Sequence, residues 1–546
     1  MNKKIIGILV CMLLITTAIP ALGTTNDIKA SDENNAYSSH EIEVEWERLY
    51  GGVNIEVFRN VKQTNDGGYI AVGAWNATRT PTDSGSHCLV KVDANGDEEW
   101  NATALPNSSL YPRCYIVEQT SDGGYVTAGC NEDGTWGYNR CIWKVDEDGN
   151  TEWLKVYDDP LYGYHMCIQQ TNDGGYIVTG EIDISPQDWD VLLMKTNSTG
   201  AVEWQKIHRF GEYGDSARVV RQTSDGGYIL CGRSETGPGL SYSDLLVIKT
   251  DSNGDIEWDN TYGGKKWDWT QSSDILFADD GGYYFLGETE SFGAGYRDIW
   301  LIKTDADGNM EWNKTFGGTK QDMCGGMDFT DDGGIIITGT LNAFDSILPK
   351  SEGLVIKTDL DGVVEWAQIF GDEGYDELQS VCSTSDGGYI VAGDLDSTET
   401  SGAGLVDGWL IKMKAFENNP PDKPNKPSGK KKIMPGAKYT YKTSTSDSDG
   451  DQVYYLWDWG DKNKSDWLGP YNSSEVCEAD YYWEKDGTYF VSVMAKDSFG
   501  ADGEWTDTLR VTTPKNKAFN FNFPLMNWLF ERFTNVFHLL RYIVGK

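Results

Sequence analysis

The chain has 546 residues, a formal net charge of −39, 21 tryptophans, 29 tyrosines and only 5 histidines. That length and apolar content allow two or more domains with cores of their own. Residues 25–419 carry 27 basic against 68 acidic side chains while residues 420–546 balance at 17 of each, so the long acidic part repels nucleic acid, which is excluded as a partner.

Lys3 and Lys4 precede an apolar run from Ile5 to Ile19, and Ala21-Leu22-Gly23 supplies small residues for cleavage. Residues 1–23 therefore read as an export signal, and the mature chain as secreted or displayed at the cell surface. The run is short for a membrane span. Residues 24–42 read as a leader segment. Seven Asn-x-Ser/Thr sites (Asn76, Asn101, Asn107, Asn197, Asn313, Asn463, Asn472) are compatible with glycosylation outside the cell. Nine cysteines follow the signal with no framework of spacings; one pair among Cys114, Cys130 and Cys141 is open to bridging, and most read as small buried apolar residues.

From residue 43 the sequence repeats. A turn of the form Thr-x-Asp-Gly-Gly, with Ala278 in place of threonine in the fifth copy, returns at Asp66, Asp122, Asp173, Asp225, Asp280, Asp332 and Asp386, with steps of 51 to 56 residues. In the unit that starts at Met327, a short apolar run, the glycine turn and a second run predict a tight hairpin, strands a and b. A loop leads to Gly353–Thr358, strand c, then Asp359-Leu360-Asp361-Gly362 turns the chain into strand d with Trp366. Four antiparallel strands per period of about fifty residues is the pattern of a β-propeller blade. Strand c ends in lysine in every copy, and strand d carries tryptophan at Trp46, Trp100, Trp153, Trp204, Trp258, Trp312 and Trp366. The first tryptophan precedes the first turn and none follows Lys412, so an N-terminal d strand is expected to complete the last blade. The expectation is an all-β, seven-bladed propeller over 43–414, closed in this way so that the two sheet edges of an open array are removed.

Strand alternation puts the a–b and c–d turns at one face and the b–c and d–a loops at the other. The first face is uniform; the second varies from blade to blade, and loops on a rigid scaffold are where function concentrates. Trp75, Trp136 and Trp189 in the b–c loops are candidates for stacking on sugars or gripping a protein, the alternative being packing between blades. Glu56, Asp215, Asp268, Asp322 and Asp376 recur where strand a begins, near the expected channel mouth. They are candidates for a cation or a polyhydroxylated ligand, against the alternative of hydrogen bonding to backbone.

The acidic c–d turn, Asp305, Asp307 and Asn309 in the fifth copy, has oxygen donors at alternate positions, a calcium pattern. Glycine at the fourth place and Phe316 at the twelfth depart from that pattern, and a glycine hairpin explains the turn equally. The Thr-x-Asp-Gly-Gly turn resembles the Asp-box of sialidases and other propellers. That resemblance implies a fold, since in those families the box is structural and lies away from the active site. No His-x-x-x-His, Cys-x-x-Cys or Gly-x-Ser-x-Gly is present. A carboxylate pair for glycoside hydrolysis is neither excluded nor nominated among so many acids.

Residues 415–437, with five prolines and Lys430–Lys432, read as a linker. Beyond it, Tyr454-Tyr455-Leu456-Trp457-Asp458-Trp459-Gly460-Asp461 and Gly487-Thr488-Tyr489-Phe490-Val491-Ser492-Val493 resemble a PKD domain, an immunoglobulin-like sandwich, over 438–514. The resemblance implies a spacer or adhesion module; Lys462 stands where the family usually has glycine. Asp447, Asp449 and Asp451 form a loop that could take calcium or be a solvated turn. In the tail, 515–546, Leu525, Leu529, Phe533, Val536, Leu540 and Ile543 recur on one face of an amphipathic helix, with membrane or envelope association through 519–546 or docking on the sandwich as its uses. The whole resembles secreted archaeal and bacterial proteins that join DGGYIVAG-type propeller repeats to PKD domains. The expected function is non-enzymatic binding of an extracellular glycan or surface protein; the alternative is a propeller hydrolase or lyase acting on polysaccharide.

Overall fold

The computed structural model describes residues 24–27 and 42–513, apart from short stretches at 52–54, 78–83, 110–112, 133–137, 158–162, 186–187, 211–213, 236–241, 272–273, 343–350, 372–373, 398–404 and 416–417. The export signal and the amphipathic tail read from the sequence lie outside the described residues. The described residues form strands and turns with no helix, in two units that divide between Phe416 and Glu417.

In the first unit seven antiparallel sheets follow one another, each with strands a to d side by side. The fourth shows the plan: Asp215–Gln222, Tyr228–Glu235, Ser243–Thr250 and Ile256–Tyr262. In the fifth, the inner strand is broken into Asp268–Trp269 and Ile275–Phe277. Within the expected leader, Thr24–Asp27 pairs in parallel with the outer strand Met310–Gly317 of that sheet. The seventh sheet is built from both ends of the unit: Val44–Tyr50 pairs with Leu405–Met413, Trp46 opposite Lys412. Each inner strand packs on the preceding sheet, and that of the first sheet packs on the seventh.

The repeated residues explain how the sheets hold. In the fourth turn Thr223 donates to Asp225, whose carboxylate also accepts from the Gly227 N–H at 2.8 Å. Gly226 sits at φ +86°, where a side chain is strained. A Cβ on Gly227 would lie 2.1 Å from the Thr250 carbonyl oxygen, so strand c approaches only because glycine is there. The lysine ending strand c is buried, its ammonium gripped between the turn aspartate and a glutamate of strand d: Lys249 meets Asp225 and Glu257, each at 2.8 Å. The strand d tryptophan locks onto the next sheet. Trp204 packs on Tyr228, centroids 6.0 Å apart, and fills the space beside Gly254, whose Cβ would stand 2.7 Å from its ring. Trp46 does the same to the first sheet, against Tyr69 and Gly96. Glutamine bridges repeat too: the Asn172 N–H donates to Gln222, and across the closure the Ser385 N–H donates to Gln63.

The second unit is a two-sheet sandwich. One sheet holds Ser428–Gly429, Tyr439–Thr443 and Cys477–Tyr481; the other holds Leu468–Tyr471, Val453–Asp458, Thr488–Asp497 and Leu509–Thr512. Alternate residues face inward, and Tyr441, Tyr455, Trp457, Trp483, Val491 and Val493 fill the core. Lys462 takes φ +80°, so the glycine-type turn is kept without glycine. The expected linker at 415–437 is corrected: from Asn418 on it belongs to the sandwich. The Asp422 N–H donates to the Ser446 carbonyl at 2.9 Å, that of Asn425 to Ser444 at 2.8 Å, and Ser428–Gly429 joins a sheet. Prolines keep this edge extended without donors, which is why composition alone reads as a linker.

Candidate functional site

At the end of the ring that carries the repeated turns, inner strands are joined by charge. Lys62 of the first sheet reaches Asp274 of the fifth at 3.0 Å, a contact that crosses the ring. Arg221 of the fourth donates through Nε to the same carboxylate at 2.8 Å and lies 3.8 Å from Glu118 of the second. Burial pulls the Asp274 carboxyl upward, but Arg221 and Lys62 outweigh it and hold it at about 2. This charged cluster ties the inner strands of the first, fourth and fifth sheets to one another. Binding is therefore sought at the opposite end, where the loops vary.

The five acids expected at that mouth are buried at the starts of the inner strands. Four of them accept hydrogen bonds from the incoming d–a loop, from the end of the neighbouring strand b, or from both. Asp322 accepts from the Gly318 N–H at 2.7 Å and the Asn342 N–H at 2.9 Å, and Asp268 from the Gly264 N–H at 2.8 Å and Ser291 Oγ at 2.6 Å. Asp215 accepts from the Phe210 N–H and Asp376 from the Asp396 N–H, while Glu56 is buried at the matching place in the first sheet. Glycines make room for them: a Cβ on Gly317 or Gly371 would lie 2.4 Å from the Asp322 or Asp376 carboxylate. Burial pushes the Asp322 carboxyl up, and its two backbone donors offset this only in part.

Of the candidate aromatics, Trp136 lies outside the described residues. Trp75 packs on the core between the seventh and first sheets, and Trp189 on Tyr164 at 5.6 Å. Neither is a free stacking platform. Among the described residues, the aromatic rings that do face solvent here are Tyr296 (69 % exposed), Tyr242, Tyr375 and Phe292. Spacing nominates the loop but not which ring stays uncovered.

For a cation, the structure separates two turns that look alike in sequence. Asp305 spends its oxygens on the turn itself, accepting from the Asp307 and Asn309 N–H groups at 3.0 and 2.8 Å and from the Asn309 amide at 2.9 Å. Asp305 is thus a turn residue here, its oxygens engaged by three N–H donors of the turn itself. Asp447, Asp449 and Asp451 do converge, each with an oxygen within 4.8 Å of the others, alone among the described residues. Asp447 and Asp451 are 6 % and 4 % exposed. Asp447 Oδ1 accepts the Asp449 N–H, while its Oδ2 is buried with no hydrogen-bond donor. An uncompensated buried carboxylate oxygen is costly unless a cation meets it, so this donor set fits a hard divalent ion. Asn419 ties Asp449 from the side through its N–H and amide, and the neighbouring Asn418 is bonded to Asp497 and has a buried, unpartnered amide oxygen.

Nine cysteines fall among the described residues, eight of them buried. Cys114 lies 3.1 Å from His87, but burial pushes the thiol to about 12 and the imidazole to about 4. Those directions oppose the thiolate–imidazolium pair that nucleophilic chemistry needs.

A family described as PKD domain matches residues 420–513. Among solved structures, the PKD domain of an M14-like peptidase from Thermoplasmatales archaeon SCGC AB-540-F20 is 39% identical, covering 18% of this chain and 100% of that one, with a TM-score of 0.17. The extracellular domain of a hybrid two-component system from B. thetaiotaomicron is 11% identical over 84% of this chain and 72% of its own, TM-score 0.24. A GH43_1 enzyme from Xanthomonas citri complexed with xylose is 10% identical over 49% and 91%, TM-score 0.28. No curated protein matches the chain.

Proposed function

We propose, from the premise that residues 420–513 are a PKD domain, that the chain is a secreted or surface-displayed binding protein. In this reading the seven sheets are a seven-bladed β-propeller that binds an extracellular glycan through its variable loop end, with the PKD domain as spacer. The observation that carries it is the contrast between the ends of the ring. One is uniform, internally hydrogen-bonded and tied across the ring by Lys62, Asp274 and Arg221; the other differs in every sheet. The test is a glycan array with the full mature chain, with product analysis of every saccharide that binds. Binding without cleavage is expected; a blank array removes the reading.

A second reading, polysaccharide hydrolysis, draws on one carboxyl. Burial and the neighbouring Glu377 push Asp394 well above the usual carboxylate range, offset only in part by Arg59. A carboxyl held protonated with a second carboxyl beside it is an arrangement that acid catalysis of glycoside cleavage uses. Product release that stops in both Glu377→Gln and Asp394→Asn would establish it in place of simple binding.

Calcium belongs to the sandwich in this account, held by Asp447, Asp449 and Asp451. Calcium at about a hundred times its Kd is expected to stabilise that unit by about 2.7 kcal/mol. Calorimetry should show the gain abolished in Asp447→Asn and kept in Asp305→Asn; a midpoint indifferent to chelator contradicts the site.

A further inference from the structure

In six of the seven sheets the pairing of strand a with strand b slips at one and the same place. The slips fall between Phe58 and Asn60, Cys114 and Ile116, His165 and Cys167, Ala217 and Val219, Cys324 and Met327, and Leu378 and Ser380. The residues left over are Arg59, Tyr115, Met166, Arg218, Gly325 with Gly326, and Gln379. Arg59, Tyr115, Met166, Arg218, Gly325 and Gln379 each stand seven positions before their turn aspartate. In the fifth sheet the inner strand is interrupted at this level, between Trp269 and Ile275. Bulges re-aim a side chain and gather next to functional sites. Here the backbone device is repeated while the side chain it re-aims differs each time, unlike the turn aspartate, the lysine and the tryptophan.

These residues stand where a ligand entering from the loop end would meet them. Arg59, Tyr115, Arg218 and Gln379 are half-exposed, although the residues flanking each of them are buried. They lie on the innermost strands, three positions before the level of Lys62 and Arg221, on the loop side of that charged cluster.

Their charge is anomalous for so acidic a ring. Each strand c lysine is gripped by carboxylates, and Arg221 is bound to Asp274. Arg218, by contrast, makes its one hydrogen bond among the described residues to Met166 Sδ at 3.5 Å. Arg59 has Glu377 only at 3.9 Å, beyond hydrogen-bonding distance. Two guanidiniums with spare donors suit a carboxylate. Tyr115, partly packed on the cores of the neighbouring sheets, and Gln379, whose amide nitrogen donates to Glu377 at 2.7 Å and leaves its carbonyl oxygen, add an aromatic edge and an acceptor for sugar hydroxyls. We infer that this collar of bulges binds a carboxylate-bearing saccharide, with Arg59 and Arg218 meeting the carboxylate and Tyr115 and Gln379 the ring. The inference rests on the glycan-binding reading and names its ligand class and residues.

The test is titration calorimetry on the full mature chain with trigalacturonate, maltotriose and poly-L-glutamate. Trigalacturonate is expected to bind at least about tenfold more tightly than maltotriose, and Arg218→Gln and Arg59→Gln each to weaken it about tenfold or more. Arg48→Gln, on the exposed strand of the seventh sheet, should leave it unchanged, and each variant must keep the parent melting temperature. Equal affinity for the neutral trisaccharide, or indifference to Arg218→Gln in a folded variant, overturns the collar while leaving a glycan-binding ring intact. Tighter, Arg218-dependent binding of poly-L-glutamate overturns the saccharide in favour of an acidic peptide. If no saccharide binds, both readings fall together.

Discussion

The turn aspartates show how a repeated residue is held by its neighbours. Burial raises the Asp225 carboxyl, but Lys249, Thr223 and the Gly227 N–H outweigh it and hold it at about 2. Asp66, Asp173 and Asp386 are also held at about 2, and Asp122 and Asp280 are lowered in the same sense. A folded-state pKa below the unfolded value gives stability that is present above about pH 4 and lost as pH falls towards 2. These carboxylates are half-exposed, so solvent screens each contribution. The ring should therefore lose thermal stability between pH 4 and 2. Asp225→Asn should start lower at pH 7 and converge with the parent near pH 2; parallel melting curves would contradict the assignment. Residue-level reading was reliable where one side chain does one local task, as with Asp225, whose carboxylate holds the tight turn that its spacing predicts. It was weaker for Asp322 and its equivalents. Spacing placed them at strand starts, but only the coordinates show the backbone donors that occupy them.

At the scale of elements, glycine reports two different constraints. Gly226 has φ +86° and open space around it, so Gly226→Ala carries the backbone penalty alone, about 1 kcal/mol. Gly254 has φ +78°, and its Cβ would meet the Trp204 ring at 2.7 Å, so overpacking adds about 1–3 kcal/mol. Urea unfolding should rank Gly254→Ala well below Gly226→Ala; equal midpoints would show that the tryptophan lock does not bind neighbouring sheets. The strand order was legible because the turn, the lysine and the tryptophan are dictated by backbone geometry. The bulge was not. A slip present in nearly every copy leaves the spacing between turns unchanged, so no period betrays it. Its one trace in the sequence is a place seven before the aspartate that varies among Arg, Tyr, Met, Gly and Gln. The proline-rich edge of the sandwich was misread for a related reason: composition reports the missing donors but not the carbonyls that Asp422 and Asn425 find.

For the whole molecule, the closing pair is Val44–Tyr50 on Leu405–Met413, fastened at its outer end by Lys414 to Glu43 at 2.6 Å and, towards the first sheet, by Trp46 on Tyr69. Closure removes both open edges of a seven-sheet array, and with them the template for edge-to-edge association. It also fixes which end is spent on stability and which is left to vary. The central claim is that ligand is read at the loop end of the inner strands. Hydrogen–deuterium exchange of the full chain, with and without the tightest-binding saccharide of the array, tests this most directly. The account predicts added protection around Arg59, Tyr115, Arg218 and Gln379 and none at the Asp-Gly-Gly turns. Protection confined to those turns, or to the sandwich, would contradict it.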